Sequence, residues 1–139
     1  MHYMPEAVPG PDPSFDDATY WANCQEKKLT FQRCGKCQTY RHPPGPFCPQ
    51  CHSDQIEWVE APEEGELFSF TVIHHPAHQA VRERVPYNVV LVSFPTMGGV
   101  RVISNVIDAE PDELKFSMKL RLVWGQAGNG QTIPLFKKA

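Results

Sequence analysis

Cys34-Gly35-Lys36-Cys37 and, ten residues further on, Cys48-Pro49-Gln50-Cys51 form the stretch that decides how this chain folds. Two Cys-x-x-Cys pairs supply the donor set of a tetrahedral metal site. Each pair wraps one edge of the ion in a tight turn whose backbone N–H groups point at the sulfurs. Gly35 and Pro49 suit such turns. With Cys34, Cys37, Cys48 and Cys51 all bound, no coordination position remains for water or substrate, so the expected site is structural and not catalytic. Zinc is the expected ion. Tetrathiolate iron is the alternative, which spacing alone does not separate from zinc. Because the shell is complete, His42 and His52 read as surface residues or as supports around the ligands. Of five cysteines, Cys24 is left over; it reads as a small buried residue on a helix face, the alternatives being a reactive thiol or a substitute ligand.

Upstream of the cysteines, residues 1–14 carry Pro5, Pro9, Pro11 and Pro13 with little apolar periodicity, which predicts an extended, poorly ordered arm. Ser14, with Asp17 three residues on, predicts a capped helix over 15–29 in which Ala18, Trp21, Ala22 and Cys24 recur near helical spacing. The metal module follows over 30–60 as a zinc ribbon with Tyr40, Phe47 and Ile56 as its apolar residues. Its inter-knuckle loop holds Pro43, Pro44, Gly45 and Pro46 and is expected to be stiff without hydrogen-bonded structure. Tyr20, Trp21 and Tyr40 are the candidates for an interface with a partner.

Downstream, over 61–139, the pattern changes to β. Phe68, Phe70 and Val72 alternate with Ser69 and Thr71, Val89–Phe94 is a nearly continuous apolar run, and Val100, Val102, Ser104 and Val106 alternate again. Met118, Leu120, Leu122 and Trp124 then share a face, and Ile133–Phe136 makes a short last strand. Met97-Gly98-Gly99 marks a tight turn, and Pro111-Asp112 starts a helical turn in the longer link between the third and fourth strands. Five short strands with that spacing predict a small Greek-key barrel of the OB type, whose closure removes exposed edges. The predicted fold class is therefore mainly β: an N-terminal helix, a rubredoxin-like zinc ribbon and a five-stranded OB-type barrel.

The 139 residues carry 13 basic and 16 acidic side chains, a net charge of −3. No global basic field therefore recruits nucleic acid or acidic membrane. No segment approaches the ~18 apolar residues of a membrane span, and the N-terminus lacks the basic-then-apolar order of a signal peptide, so a cytoplasmic location is expected. His74-His75-Pro76-Ala77-His78, followed by Arg82 and Arg84, is the one cluster that invites a ligand. His74, His75, Arg82 and Arg84 are candidates for contact with an anion, although Glu83 also fits an ordinary mixed-charge loop. Phosphate-binding loops, dinucleotide fingerprints and nucleophile elbows do not occur, and the isolated chain reads as a non-enzyme.

The order of parts carries a resemblance. Leu29-x-Phe31-Gln32-Arg33-Cys34-x-x-Cys37, the Pro-Pro loop, Cys48-Pro49-x-Cys51, Gly65–Val72 and the late stretch Ile107-Asp108-Ala109-Glu110-Pro111-Asp112-Glu113-Leu114 resemble a bacterial and archaeal family of zinc-ribbon plus OB-fold proteins, found beside thiolases and other acyl-CoA enzymes. The likeness runs from about Phe15 to Phe136. It implies an accessory subunit bound to a thiolase-like enzyme or a lipid-transfer-type aldolase, helping to hold the acyl-CoA, with catalysis left to the partner and steroid side-chain degradation among the family's settings. It also implies that Cys34, Cys37, Cys48 and Cys51 hold the metal. Where the family commonly opens the fourth strand with glycine, this chain reads Phe116-Ser117-Met118. The competing reading is single-stranded nucleic-acid binding by the barrel, with Lys115, Lys119, Arg121, Lys137 and Lys138 as a local basic stripe.

Overall fold

The computed structural model describes all residues, 1–139. Two sheets are present. Thr30–Cys34 (β1) pairs antiparallel with Tyr40–Arg41 (β2) on one side and with Ile56–Glu60 (β3) on the other. The proline loop therefore contains hydrogen-bonded structure, contrary to expectation. Gln32, whose side chain is buried in β1, accepts from the Gly45 N–H at 2.9 Å, and Arg41 Nη2 donates to the Gly45 carbonyl at 3.1 Å. The Gln32 amide and the Arg41 guanidinium take the place of the ladder that prolines cannot complete.

Glu64–Ile73 (β4), Tyr87–Phe94 (β5), Val100–Ser104 (β6), Lys119–Gln126 (β7) and Thr132–Lys138 (β8) form the second sheet in the order β6-β5-β4-β7-β8. These are the five strands that the apolar patterning predicts; in β6, Val100, Val102 and Ser104 are buried while Arg101 and Ile103 face out. A register shift between Leu67 and Ser69 bends β4, which pairs with β5 over most of its length but with β7 only at Glu64–Glu66. Such a bulge increases local twist and curls a sheet. The curl brings the end of β6 to β8, where a parallel bridge joins Val106 to Phe136. Phe136 N–H donates to the Asn105 carbonyl at 3.0 Å, and Ile107 N–H to the Phe136 carbonyl at 2.8 Å. Buried Asn88 braces this corner with its side-chain amide, which donates to the Val106 carbonyl and accepts from the Val106 N–H, both at 2.8 Å. The product is a curled five-stranded half-barrel of the OB type.

One core serves both sheets. Phe31 of β1 is fully buried with its ring centroid 5.3 Å from that of Phe94, which lies 6.3 Å from Phe136. Leu29 and Phe31 give the ribbon its apolar face, whereas Phe47 and Ile56 are 62% and 39% exposed. The ribbon is too small to enclose these apolar groups itself and lays β1 on the barrel instead.

The predicted helix is shorter than 15–29. A 3-10 turn at Phe15–Asp17 leads into Ala18–Gln25 (α1), with Ser14 N–H donating to Asp17 Oδ1 at 2.8 Å in a capping box. Lys27, at φ 59°, turns the chain out of the helix so that Leu29 can enter the core. Tyr20 and Cys24 both belong to that core, Tyr20 being 3% exposed. Tyr20 is therefore withdrawn as a partner-contact residue. Residues 1–14, expected to be a loose arm, lie across the barrel. Gln126 N–H donates to the Met1 carbonyl at 2.8 Å, and Arg84 Nε to the Tyr3 carbonyl at 2.9 Å, with the guanidinium 4.2 Å from the Tyr3 ring centroid. Asn129 Nδ2 holds the Pro11 carbonyl at 2.8 Å. Gly128 permits the approach, since a Cβ there would meet the Glu6 carbonyl oxygen at 1.9 Å. No helix is long and apolar enough to cross a membrane.

Candidate metal centre

The strand pairing β1–β3 ends at Cys34, opposite Ile56, and delivers the first knuckle to the second. The two knuckles repeat each other bond for bond. In the first, Gln38 N–H donates to the Cys34 carbonyl and Cys34 N–H to the Thr39 carbonyl, each at 2.9 Å; in the second, His52 N–H donates to Cys48 and Cys48 N–H to Ser53, again at 2.9 Å. Gln38 and His52 occupy the equivalent position after each second cysteine, and both are at φ 64°. Lys36 and Cys37 N–H groups point at Cys34 Sγ, and the Gln50 N–H at Cys48 Sγ, all at 3.4 Å. This is the sulfur-directed turn that the spacing predicts.

The four Sγ atoms lie within 4.8 Å of one another, with Cys34–Cys51 and Cys37–Cys48 at 3.5 Å. A tetrahedral tetrathiolate with metal–sulfur bonds of about 2.3 Å has its sulfurs about 3.8 Å apart, so the cage fits one ion of that kind. All four cysteines are free thiols. The N–H groups of Cys37 and then Lys36 pull the Cys34 thiol down to about 6, and those of Cys51 and Gln50 lower Cys48. Cys51, despite the lowering effect of Ser53 N–H, is pushed up to about 11 by burial and by its bonds to the neighbouring thiols. Backbone N–H dipoles thus favour the anionic form of the Cys34 and Cys48 sulfurs, while a full set of four thiolates calls for a cation among them.

The remaining candidates are not gathered into one site. His74, His75 and Arg82 are exposed on the β4–β5 connection, His78 accepts the Ala80 N–H through Nδ1 at 3.0 Å, and Arg84 is committed to Tyr3. Trp21 is half-buried, with its ring 4.9 Å from Tyr20, and Tyr40 stacks under Arg33 at 5.7 Å. His42 is no surface residue: it packs 5.0 Å from Phe31 and 5.1 Å from Tyr20, and burial lowers its pKa to about 4. Of the basic stripe, Lys119 is paired with Glu66, and Lys138 with Glu113 at 2.8 Å, while Arg121 faces Glu64 in register.

One concavity leaves only a faint mark in the sequence. A groove of about 750 Å³ lies between the arm, α1, the His42–Pro44 turn and the seam where β6 and β8 diverge. Phe15, 95% exposed at φ 47°, and Ile103, 71% exposed, both line it. The only signal available was Gly10 and Gly128, whose missing side chains let the arm approach the β7–β8 turn.

Comparison with known proteins matches residues 21–57 to the family described as ChsH2, rubredoxin-like zinc ribbon domain, and residues 58–125 to ChsH2, C-terminal OB-fold domain. The chain is 38% identical over 136 residues to a probable enoyl-CoA hydratase alpha subunit of Thermomonospora curvata, covering 97% of this chain and 41% of that one. It is 31% identical over 120 residues to the 3-oxo-4,17-pregnadiene-20-carboxyl-CoA hydratase alpha subunit of Mycobacterium tuberculosis, covering 86% and 37%. The chain thus spans about two-fifths of the length of these curated relatives. Among solved structures it is similar to a chain of the Ltp2-ChsH2(DUF35) aldolase, with a TM-score of 0.83 and 36% identity over 93% of this chain and 98% of that chain. With both its ribbon and its barrel matched in sequence and in fold, the chain belongs to the ChsH2-type DUF35 family of zinc-ribbon plus OB-fold proteins.

Proposed function

We propose that this chain is the non-catalytic accessory subunit of an enzyme acting on acyl-CoA thioesters, seated against a thiolase-superfamily subunit such as a thiolase or a lipid-transfer-type retro-aldolase. The observation that carries the reading is the near full-length likeness, at a TM-score of 0.83, to the chain from the Ltp2-ChsH2(DUF35) aldolase. The hydratase alpha-subunit relatives point the same way, towards CoA thioesters and, in one case, a steroid skeleton. Cys34, Cys37, Cys48 and Cys51 hold one structural zinc ion, whose contribution is to fix the ribbon. Catalytic groups belong to the partner; the exposed His74, His75 and Arg82 are available to the anionic part of the ligand.

The interface uses the ribbon and the helix side of the molecule, where Trp21, Tyr40 and the exposed Phe47 offer stiff apolar area. Co-expression with an adjacent thiolase-like gene tests the assignment. The two proteins are expected to purify together and the enzyme to lose activity without this chain. Separate purification with unchanged activity overturns it. Trp21→Ala is expected to weaken co-purification while metal content stays the same.

A further inference from the structure

Only the first part of β4 has a neighbour on both sides. Leu67 donates its N–H to the Met118 carbonyl at 2.9 Å and accepts from the Ser117 N–H at 2.8 Å; there the pairing with β7 stops, while that with β5 runs on to Ile73. Leu67 is thus turned towards β7. Its pair with Val92 is therefore the non-hydrogen-bonded kind, and the next opposed pair, Ser69 with Leu91, is the hydrogen-bonded kind. By alternation Thr71 and Ile73 also bond β5. Phe70 and Val72 turn their N–H and carbonyl groups to the other side, where no hydrogen bond reaches them.

This edge is unguarded. The edge strand β3 carries Glu57 and Glu60, and β2 runs into Pro43 and Pro44, which are charges and prolines of the kind that discourage further pairing. Ser69-Phe70-Thr71-Val72-Ile73 has neither, and its β-branched and aromatic residues favour pairing. Beside it stands Phe116, 68% exposed, with its ring centroid 5.4 Å from that of Phe70. A row of main-chain donors and acceptors next to an apolar ring selects one class of ligand, an extended peptide, which repeats the same groups at the same spacing. A second copy paired through this edge would meet it with five residues and a ring from each side, well short of the ~800 Å² per partner of a stable interface. A segment of a protein that already holds this chain elsewhere gains instead from its effective concentration.

We propose that the open edge of β4 takes up an extended segment of the partner enzyme as an added strand, whose main chain bonds Phe70 and Val72 and one of whose apolar side chains lies on Phe116. The inference deepens the accessory-subunit reading and rests on it for the source of the segment.

Short overlapping synthetic peptides that span the adjacent thiolase-like subunit are the probes, titrated to millimolar concentration into the ¹⁵N-labelled, metal-loaded full chain, with amide hydrogen exchange read at each end point. One peptide is expected to give saturable shifts along β4 and, near saturation, to slow exchange of the Phe70 and Val72 amides by about tenfold, with much less effect on Ser69 and Thr71, which β5 already holds. Phe116→Ala, which changes an exposed side chain, weakens that peptide by about 2- to 10-fold through loss of one apolar contact. Val72→Pro removes an outward donor and weakens it by about tenfold or more. Absence of any peptide that protects the two amides, protection that instead rises with the concentration of this chain alone, or wild-type affinity in Phe116→Ala or Val72→Pro overturns the proposal. The titration needs no assembled complex. Co-purification without a protecting peptide would refute only the strand addition, and a protecting peptide without co-purification only the accessory-subunit reading.

Discussion

Truncating Phe31 tests whether ribbon and barrel are one cooperative unit. Phe31 is fully buried on β1, with Phe94 of the barrel at 5.3 Å and His42 at 5.0 Å. Deleting a buried phenylalanine to alanine costs about 3–5 kcal/mol through lost transfer energy and the cavity left behind. Loss of two ring contacts puts Phe31→Ala at the upper end, about 4–5 kcal/mol. A domain typically has only about 5–15 kcal/mol in hand, so the variant sits near the edge of folding. Phe31→Leu refills most of the space and is expected to cost about 1–2 kcal/mol. Urea unfolding of the metal-loaded protein reads both, with Trp58 in β3 and Trp124 in β7 reporting on the two sheets and a chromogenic chelator reporting metal release. All curves are expected to coincide and to move together in the variants. A ribbon transition separate from the barrel's, or a loss below about 2 kcal/mol in Phe31→Ala, refutes the shared core.

Stripping the metal with a strong chelator is expected to remove about 10 kcal/mol or more from the ribbon and, through the common core, to lower the thermal midpoint of the barrel as well; near-ultraviolet circular dichroism follows it. Ser117 precedes β7 at φ 69°, a conformation that favours glycine, so Ser117→Gly is expected to stabilise by about 0.5–1 kcal/mol and raise Tm by about 2–4 °C, while Ser117→Val lowers it. His42 titrates near 4 in the folded chain against 6.5 when free, because burial disfavours its charged form. Between those values the unfolded chain binds the proton and the native chain does not, so stability falls as pH drops through 6.5 and this loss is complete below 4. It amounts to at most about 3 kcal/mol, and His42→Phe removes it from the urea midpoint measured at pH 7, 5.5 and 4.5.

What could be read from residues alone was whatever has a short-range cause. Four cysteines at knuckle spacing fix a cage because the turn and its ligands lie within a few residues, and the Val100–Ser104 alternation reports a sheet face directly. The Phe116-Ser117-Met118 stretch, read as a departure at the opening of the fourth strand, does hold an unusual turn: Ser117 takes a left-handed φ of 69°, a conformation that glycine adopts freely. Contacts distant in sequence left weaker marks. Tyr20 looks like a surface aromatic until β1 is laid beside it, and the helix stops at Gln25 because Leu29 must reach the barrel. The arm was misread because prolines report a lack of local ladder, not a lack of docking. Its anchors, Arg84 and Asn129, are 81 and 118 residues away from the groups they hold.

The corner at Asn88 has a consequence for how the barrel moves. Along the seam, β6 and β8 are joined by the Val106–Phe136 bridge at one end and by the single Ser104 hydroxyl further along, whereas every other neighbouring pair of strands shares a ladder. Releasing the corner leaves the β4, β5 and β7 pairings untouched, so the half-barrel has a hinge line along which it unrolls without unfolding. Hydrogen exchange at Val106, Ile107 and Phe136 then proceeds by this partial opening and outpaces that of Val90 and Val92. The width of the groove above the seam fluctuates with it.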